Sequence, residues 1–553
     1  MPSTFTKKLI SLAFLLLTIA NTPFADTALA DSTVRVFIFA GQSNMVGSDS
    51  KVQDIKRFAP FRGLEDEQPH VRFTYCLGRE NKTRSEGWVN LQPVNNIVGP
   101  ELSFARAVTR QIDAPIAIIK VAAGGTHLGG DWNPDNPSGF EMYPLALKTV
   151  RDSLQQLDAE GLKYRIEGFM WHQGENDMFN QQYMDNYGKN LKNFLRRWRT
   201  DLDVPELDFY IGELCTKTIW GMDLRPRMYA ISLGQKEVTA ADKHAHYIPT
   251  AHIGAEIGNP VGLHYHYGTL GQLEHGENYA SAYLNKIGVK QEVELGLQSL
   301  PYSRRKPVKL FVLAGHRNME GERAFVSELS EMDNGAALLK PQNHIAYRYS
   351  LGGGVKTSLQ WEPLRPAGYY QTFGPEVSFG ARLSAESKEQ IAIAKFTHSG
   401  SQIIDWTPEG SMAKTRHIYP DFIEFIRQAQ RSLSDKGFDV EIAGIFYHLG
   451  ENDMSFYPYR KDAAERLKGI VAQSRVDLKL PELAWYVSQQ KPTDHESVNK
   501  VDVVSMVSAV AEADPHLHHL KAFDLPPQEK RLVITTEGIV RLGEALADFY
   551  LDL

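Results

Sequence analysis

One serine in this sequence is placed where it could act as a nucleophile. Ser43 follows the β-rich apolar run Phe37–Ala40 and the dipeptide Gly41-Gln42. A strand that ends in Gly-x-Ser presents the hydroxyl on a tight turn at the edge of a sheet, where a substrate can reach it. A serine in such a turn is more often only structural. Ser43 could accept an acyl group if a base takes its proton and hydrogen-bond donors hold the developing oxyanion.

Two histidines are candidates for that base. His264 and His266 lie shortly before the predicted last helix of the first half of the chain. A loop at this place can return to the edge of the sheet, so either imidazole could reach the serine. A pair of surface histidines between tyrosines is the plainer interpretation of the same residues.

Candidate oxyanion donors follow two other predicted strands. The backbone N–H groups of Gly124 and Gly125 are suitable because glycine lets a backbone approach a ligand closely. The side-chain amides of Gln173 and Asn176 are suitable because they come directly after an apolar strand. The carboxyl ends of parallel strands meet at one edge of a sheet. The sequence therefore predicts that these groups and Ser43 form one site.

Two carboxylates belong to the same polar block after that strand. Glu175 and Asp177 could supply the acid that orients a histidine, or they could hold the loop together. Both interpretations stay open on the sequence alone.

The elements that must position these residues alternate between strands and helices. In the first half of the chain, strands are predicted at Val34–Ala40, Ile116–Val121, Ile166–Trp171 and Asp208–Gly212, and helices near Glu101–Gln111, Leu145–Leu157, Met184–Arg199, Tyr229–Ala241 and Gly271–Leu284. A long loop is predicted between the first strand and the first helix. This alternation predicts an α/β fold with a mostly parallel sheet covered on both faces.

The sequence is duplicated at an offset of about 275 residues. The ordered matches pair 36–41 with 310–315, 99–105 with 374–380, 117–120 with 392–395, 174–178 with 450–454, and 204–207 with 480–483. The predicted organisation is a signal peptide at 1–30, a catalytic domain at 31–297, a linker at 298–307 and a second, degenerate domain at 308–553.

Four short motifs occur in order: Gly41–Met45, Gly99–Glu101, Gly124–Thr126 and His172–Glu175. Together they resemble the sialate O-acetylesterase and acetylxylan esterase family, carbohydrate esterase family 6 of the SGNH hydrolase superfamily. The resemblance covers nearly all of residues 31–290. It implies two tandem SGNH-like (flavodoxin-like) three-layer α/β/α domains. It also implies removal of acetyl groups from carbohydrate hydroxyls, without a cofactor or a metal.

Carried over by position, the resemblance assigns roles in the first copy. Ser43 is the nucleophile, and its own N–H, Gly124 or Gly125, and Gln173 are the oxyanion donors. Asn176 is the alternative donor because residues 174–177 also resemble the superfamily's Gly-x-Asn-Asp block.

The terminal block of the first copy departs from the family. The resemblance favours His264 as the base and leaves His266 as the alternative base. The family's aspartate three residues before the histidine is missing, because Val261 or Leu263 stands there. A Ser–His dyad held by a backbone carbonyl is one expectation. An acid from another loop, Glu175, Glu256 or Asp177, is the other.

The second copy has lost more of the motif residues. Arg317 stands in the place of Ser43, Leu449 in that of Gln173, and Arg531 in that of the terminal histidine by alignment to Gly543. Arginine and leucine cannot run serine acyl transfer, so we predict a catalytically inactive second domain. It could bind glycan, complete the cleft, or only pack against the first domain.

Length, charge and the N-terminal sequence limit the kinds of binding partner and the cellular compartment that fit this protein. The chain has 553 residues and a formal net charge of −7, without a long basic run, which argues against a nucleic acid or an anionic membrane as partner. Lys7 and Lys8, an apolar run and the Ala28–Ala30 cleavage pattern predict a secretory signal peptide, hence a secreted or periplasmic protein. Cys76 and Cys215 could pair in such a compartment. The oligomeric state is left open.

Three functions fit these observations. The first is a secreted or periplasmic carbohydrate O-acetylesterase that acts through Ser43 of the first domain on an acetylated glycan. The second is a non-catalytic carbohydrate-binding or scaffold protein in which both copies are degenerate. The third is an SGNH esterase or lipase that acts on esters other than those of sugars. The sequence does not name the sugar.

Overall fold

The computed structural model of the protein describes residues 33–80, 82–215, 218–219, 222–250, 252–253, 266–289, 296–411, 417–454, 460–492, 500–526 and 533–553. The predicted signal peptide, His264, Arg531 and Glu256 lie outside these residues.

The first domain contains ten strands and seven α-helices among the described residues. The strands are β1 Val34–Gly41, β2 Gln68–Leu77, β3 Thr83–Arg84, β4 Val89–Leu91, β5 Ile116–Ala122, β6 Tyr164–His172, β7 Phe209–Gly212, β8 Thr218–Ile219, β9 Met222–Asp223 and β10 Ala245–Ile248. The helices are α1 Ser43–Val46, α2 Glu101–Thr109, α3 Met142–Ala159, α4 Gln181–Asp185, α5 Tyr187–Asp201, α6 Arg225–Ala241 and α7 Gly268–Lys286. Short 3₁₀ helices lie at Val52–Arg57, Ala59–Phe61 and Asp177–Phe179.

The main sheet of this domain has the order β10-β7-β6-β1-β5-β2-β3, with β4 also paired to β2. The strands from β10 to β2 are all parallel, while β3 and β4 run antiparallel to β2. The central strand β1 lies between β5 and β6. The loops after β5, β1 and β6 are therefore neighbours at one edge, which is where ligands of such sheets bind.

The second domain repeats this arrangement. Its strands are β11 Val308–Gly315, β12 Gln342–Leu351, β13 Lys356–Thr357, β14 Glu362–Leu364, β15 Gln390–Thr397, β16 Val440–His448, β17 Trp485–Gln489 and β18 Leu517–Lys521. Its helices are α8 Arg317–Glu320, α9 Val326–Glu331, α10 Gly335–Leu338, α11 Glu376–Glu386, α12 Ile418–Ser434, α13 Glu451–Met454, α14 Ala463–Leu478, α15 Val503–Glu512 and α16 Thr536–Leu551, with 3₁₀ helices at Tyr369–Gln371 and Ile403–Trp406. The sheet order is β13-β12-β15-β11-β16-β17-β18, with β14 on β12.

Each sheet is covered on both faces by helices, as the alternating elements predict. Along β1, the side chains of Val36 and Ile38 belong to one buried apolar cluster, and those of Phe37 and Phe39 belong to the cluster on the opposite face. This is the alternation of a strand whose two faces are both buried. The predicted class, two tandem three-layer α/β/α domains with mostly parallel sheets, is confirmed.

The two domains pack against each other through aromatic and polar groups. The guanidinium of Arg323 lies 4.4 Å from the ring centroid of Phe58, and Phe325 joins the apolar cluster of the first domain. Tyr370 donates its hydroxyl to Oδ1 of Asn278 over 2.6 Å. The predicted linker packs on the second domain, where Tyr302 donates its hydroxyl to the carbonyl of Ile391 over 2.6 Å.

Several details differ from the sequence-based expectations. The predicted long loop after the first strand contains β2, which is an integral parallel strand, together with β3 and β4. The strand β10 was not predicted either. The helix expected near Met184–Arg199 is two helices, α4 and α5, which meet at Asn186. Element ends elsewhere differ by a few residues, as expected because fraying ends depend on local caps. The domain boundaries at 31, 297 and 308 stay predictions.

Both cysteines are buried thiols, and neither takes part in a disulfide. Cys76 lies in β2 and Cys215 follows β7, and three strands separate β2 from β7. At the usual spacing between strands the two are roughly 19 Å apart, whereas a disulfide needs Cα atoms within about 7 Å. The pairing that the sequence left open is therefore not formed.

Candidate active site

Ser43 is held at the end of the central strand by a turn that requires glycine. Gly41 has a φ of +153°, and a Cβ there would lie 2.0 Å from the carbonyl oxygen of His172. The next residue, Gln42, donates its N–H to that same carbonyl over 3.0 Å. The turn therefore lies directly against the end of β6, and Ser43 begins α1 with a side chain that is mostly buried.

The Gly-Pro-Glu motif holds the other end of α1. Lys120 in β5 donates its ammonium to Oε2 of Glu101 over 2.7 Å and to the carbonyl of Val46 over 3.2 Å. Burial lowers the pKa of Lys120, and the charge of Glu101 opposes that effect. The same pair recurs in the second domain, where Lys395 contacts Glu376 over 2.7 Å. This motif is a scaffold feature of both domains.

The predicted oxyanion glycines lie beside Ser43. A Cβ on Gly124 would be 3.4 Å from Cβ of Ser43, so the Gly124 backbone faces the serine. Gly125 has a φ of +76°, and its Cβ position would be 3.6 Å from Nδ2 of Asn176. Ser43, Gly124 and Asn176 therefore meet from the loops after three neighbouring strands. Half-buried Asn176 reaches this place with its amide.

Gln173, the other predicted donor, is fully buried and turned into the loop. Its Nε2 contacts Oδ2 of Asp177 at 2.5 Å, the carbonyl of Thr126 at 3.0 Å and Oε1 of Gln42 at 3.3 Å. An amide has only two N–H donors, so these acceptors occupy both. Gln173 ties three loops together, and Asn176 is better placed as a donor.

Asp177 fixes the loop that carries the glycines. It accepts N–H donations from Leu128 at 2.9 Å and Gly129 at 3.0 Å. Burial raises its pKa, and the hydrogen bonds from Gln173 and from the two backbone groups oppose that effect. Its counterpart Asp453 accepts an N–H from Ile403 over 2.9 Å in the second domain. The contact persists in the second domain, where no serine is present, and this favours the brace interpretation of Asp177.

Glu175 ties the serine turn to the strand beside it. Its Oε1 accepts from Nδ2 of Asn44 over 2.6 Å and from Nε2 of His172 over 3.1 Å, all in the interior. Burial by itself would raise the pKa of Glu175, but the charge of His172 and these hydrogen bonds outweigh it and leave the pKa lowered. These contacts favour the brace interpretation of Glu175, as an ionised carboxylate whose imidazole partner is His172.

Of the two predicted bases, the structure describes His266. The next residue, Tyr267, donates its N–H to Oδ1 of Asn44 over 3.2 Å. Asn44 adjoins Ser43, so this bond brings the segment of His266 to the serine turn. Nδ1 of His266 lies 2.6 Å from Oδ2 of Asp49, a residue close behind α1.

Three contributors to this site were not among the predicted residues. Oε1 of Gln42 accepts the N–H groups of Gly174 at 3.4 Å and Asn176 at 3.3 Å. Asp49 contacts His266, and the guanidinium of Arg79 lies beside Gly125. Gln42 lies within the recognised motif and could have been found there. Nothing in the sequence marks Asp49 or Arg79.

The second domain shows the same scaffold without these groups. Arg317 lies at the Ser43 position and pairs with Glu322, with 2.6 Å between Nη2 and Oε1. Ile534 donates its N–H to Oδ1 of Asn318 over 2.8 Å, which matches the bond between Tyr267 and Asn44. This match aligns Val533 with His266. Buried Leu449 replaces Gln173.

The described residues contain neither a membrane-crossing helix nor a cluster of metal-binding side chains. No helix within this part of the chain is long and apolar enough to cross a membrane. No group of three or more His, Cys, Asp or Glu side chains there is arranged to hold a metal ion.

Comparison with known proteins gives a family match over both domains. The profile described as "carbohydrate esterase, sialic acid-specific acetylesterase" matches residues 33–285 and again 307–552. A probable carbohydrate esterase from Arabidopsis thaliana is 29% identical over 113 residues, which is 20% of this chain and 39% of that relative. The matched part of the chain thus spans well under half the length of that relative.

Solved structures with a similar fold include one of a protein from Arabidopsis thaliana and one of NanS. The protein from Arabidopsis thaliana is 19% identical in sequence, with a TM-score of 0.35. The aligned region covers 45% of this chain and 98% of the Arabidopsis chain. NanS is 14% identical in sequence, with a TM-score of 0.36. The aligned region covers 47% of this chain and 99% of the NanS chain.

Proposed function

Because the chain belongs to the family of sialic acid-specific acetylesterases among the carbohydrate esterases, we propose that its first domain hydrolyses acetyl esters on carbohydrates with Ser43 as the nucleophile. One observation carries this proposal. The bond from Tyr267 to Asn44 brings a histidine to the serine turn in the first domain, and the matching bond in the second domain brings Val533 to Arg317.

In the proposed reaction, Oγ of Ser43 attacks the carbonyl carbon of the acetyl group while Nε2 of His266 takes the hydroxyl proton. The tetrahedral intermediate collapses, the C–O bond to the sugar breaks, and the imidazolium returns the proton to the sugar oxygen. Water, deprotonated by the same imidazole, then attacks the acetylated Ser43. Acetate leaves and the serine recovers its proton. His264 is the alternative base.

The oxyanion would be held by the N–H groups of Ser43 and Gly124 and by Nδ2 of Asn176. These donors come from three adjacent loops, and the braces Gln173 and Asp177 fix the last two loops relative to each other. Donors fixed in this way do not have to reorganise when negative charge develops on the carbonyl oxygen.

Arg79 supports an acidic sugar as the substrate. Its guanidinium lies beside Gly125, and it stacks over Phe140 with 4.9 Å to the ring centroid. No carboxylate within the described residues pairs with it, and its side chain is exposed. A guanidinium at the rim of the oxyanion loop would bind the carboxylate of a sialic acid. Arg79→Met should raise KM for acetylated sialic acid about tenfold or more and leave KM for an uncharged aryl acetate unchanged.

The protein is proposed to act outside the cytoplasm, as a secreted or periplasmic enzyme. The support is the N-terminal sequence, in which Lys7 and Lys8 precede an apolar run and the Ala28–Ala30 pattern. Detection of a mature N-terminus at Asp31 in the extracellular or periplasmic fraction would test this.

The main test is acetate release from an aryl acetate and from acetylated sialic acid by the wild-type protein and by Ser43→Ala. The variant should lose turnover entirely, while Ser330→Ala, at an exposed helical serine of the second domain, should keep the wild-type rate. Single His266→Ala and His264→Ala variants then separate the two candidate bases. No turnover by the wild-type protein on any acetyl ester would refute the esterase.

A further inference from the structure

The acid that the sequence lacks has a replacement in the fold. Neither candidate base carries an aspartate three residues before it, since Val261 and Leu263 stand there. In the structure, Oδ2 of Asp49 lies 2.6 Å from Nδ1 of His266, although the two residues are 217 positions apart. The inference drawn from this contact rests on the proposed function.

The backbone turns Asp49 towards the histidine. The residues after α1 form a tight reversal in which Gly47 and Ser48 donate their N–H groups to the carbonyl of Ser43 at 2.9 and 3.0 Å. Gly47 has a φ of 101° and Asp49 a φ of 63°. Aspartate tolerates this left-handed conformation better than most residues. The nucleophile and the carboxylate are thereby fixed by one short turn.

The contact has the polarity that a catalytic imidazole needs. A carboxylate on Nδ1 accepts the proton of that nitrogen, which leaves Nε2 as the basic nitrogen that can face a serine hydroxyl. The hydrogen bond from His266 lowers the pKa of Asp49, with further help from the charges of His266 and Lys51 and against the effect of burial. Asp49 therefore stays ionised at neutral pH, while its side chain remains largely exposed at 71%.

The second domain provides an internal comparison. One hydrogen bond is found at matching places in both domains. In the first domain the N–H of Lys51 donates to Oγ1 of Thr269 over 2.8 Å, and in the second the N–H of Phe325 donates to Oγ1 of Thr536 over 3.0 Å. By this register Asp49 corresponds to Arg323.

The three positions of the candidate triad have thus changed together in the second domain. Serine, histidine and aspartate are replaced by Arg317, Val533 and Arg323, while Asn318 keeps the place of Asn44. The scaffold does not require the aspartate, because the second domain keeps the matching bonds with Arg323 at this position.

We propose that Asp49 is the positioning residue that orients His266 for proton transfer with Ser43, in place of the aspartate missing from the terminal block.

Asp49→Asn tests the proposal in the full-length protein. The variant keeps the size of the side chain but loses the charge, so kcat on an aryl acetate should fall about a hundredfold or more, while KM and the melting temperature stay at the wild-type values. Asp49→Glu should recover part of kcat. Asp152→Asn is the matched control, because Asp152 is an exposed carboxylate on α3 that pairs with Lys148 at 2.6 Å. It should change nothing.

A proton NMR measurement gives a readout that does not depend on turnover. A low-field resonance from the Nδ1–H that donates to Asp49 should be present in the wild-type protein and absent from both Asp49→Asn and His266→Ala.

The outcomes separate the two proposals. If Ser43→Ala is inactive but Asp49→Asn keeps kcat within about threefold of wild type, the role of Asp49 is wrong and the esterase stands. If the wild-type protein shows no turnover, the proposed function fails and the role of Asp49 in proton transfer fails with it. The NMR signal then reports only whether the contact exists.

Discussion

Tyr267 donates its backbone N–H to Oδ1 of Asn44 over 3.2 Å, and this bond joins the residue after His266 to the residue after Ser43. Nδ2 of the same asparagine donates to Glu175 over 2.6 Å. One buried amide therefore connects the loops after β1 and β6 with the segment before α7. The relative placement of the candidate nucleophile and base depends on it.

Asn44→Ala should lower both stability and turnover. The change leaves the ionised, buried Glu175 with one hydrogen bond fewer, which should cost about 2–4 kcal/mol of unfolding free energy. It also releases the segment of His266, so kcat should fall even under conditions where the protein is folded. Denaturant unfolding and acetate release measure the two effects.

The matched control is Asn318→Ala in the second domain, where Asn318 accepts from Ile534 over 2.8 Å. It should cost a similar free energy of unfolding and leave the rate unchanged. Equal loss of turnover in both variants would mean that catalysis depends on the second domain.

Substitution of Asn176 should mainly lower turnover, whereas substitution of Gln173 should mainly lower stability. Asn176→Ala removes a candidate oxyanion donor and should lower kcat about 10²–10³-fold with little change in KM or melting temperature. Gln173→Leu copies Leu449 of the second domain and removes the amide that bonds Asp177 at 2.5 Å. It should lower the melting temperature by several degrees. Loss of kcat in Gln173→Leu without any loss of stability would return Gln173 to the oxyanion role.

Glu175 should make the first domain sensitive to acid. Its pKa is lowered in the folded state from an ordinary value of 4.5, through His172 and Asn44 and against the effect of burial. A depressed carboxyl pKa stabilises the fold above the unfolded pKa, and that stability is lost as the pH falls below about 4.5. Melting temperatures between pH 3 and 7 should fall less steeply with acid in Glu175→Gln than in the wild type, from a lower plateau at neutral pH.

Glu451, the counterpart of Glu175, should have the opposite effect on the second domain. Burial raises its pKa from 4.5 to about 7, and its nearest imidazole contact, to His448, is 3.9 Å. A raised carboxyl pKa gives stability that is present below pH 4.5 and lost as the pH rises through 7. Glu451→Gln should therefore raise the unfolding free energy of this domain at pH 8 by about 3 kcal/mol. Calorimetric scans of the variant and the wild type at pH 5 and 8 would measure this difference. An unchanged transition at pH 8 would contradict it.

The cysteines should behave as buried thiols. Burial raises the pKa of Cys76, which makes it slow to react with thiol reagents. A reductant should leave the melting temperature unchanged, and both thiols should titrate only after denaturation. A reductant-sensitive melting temperature would show that Cys76 and Cys215 are linked after all.

Some secondary-structure elements could not be predicted from the sequence. The strand β2, Gln68–Leu77, is not predictable from the sequence because it has Pro69 and His70 near its start and then mixes polar with apolar residues. This composition is untypical of an interior parallel strand. Its outer edge pairs with the short β3 and β4, so part of it tolerates polar side chains. The buried apolar strands β1, β5 and β6 were predictable because both of their faces lie in the core.

The sequence by itself determined the fold class, the duplication and the loops in which Ser43, Gly124 and Asn176 lie, because apolar periodicity fixes the strands and parallel strands end at one edge. The tertiary structure decided which side chains face each other there. It placed Asp49 on His266 across 217 positions, turned Gln173 inwards as a brace, and kept Cys76 apart from Cys215. Such contacts depend on how loops distant in sequence pack and on which hydrogen bonds their side chains satisfy, and no local pattern encodes them.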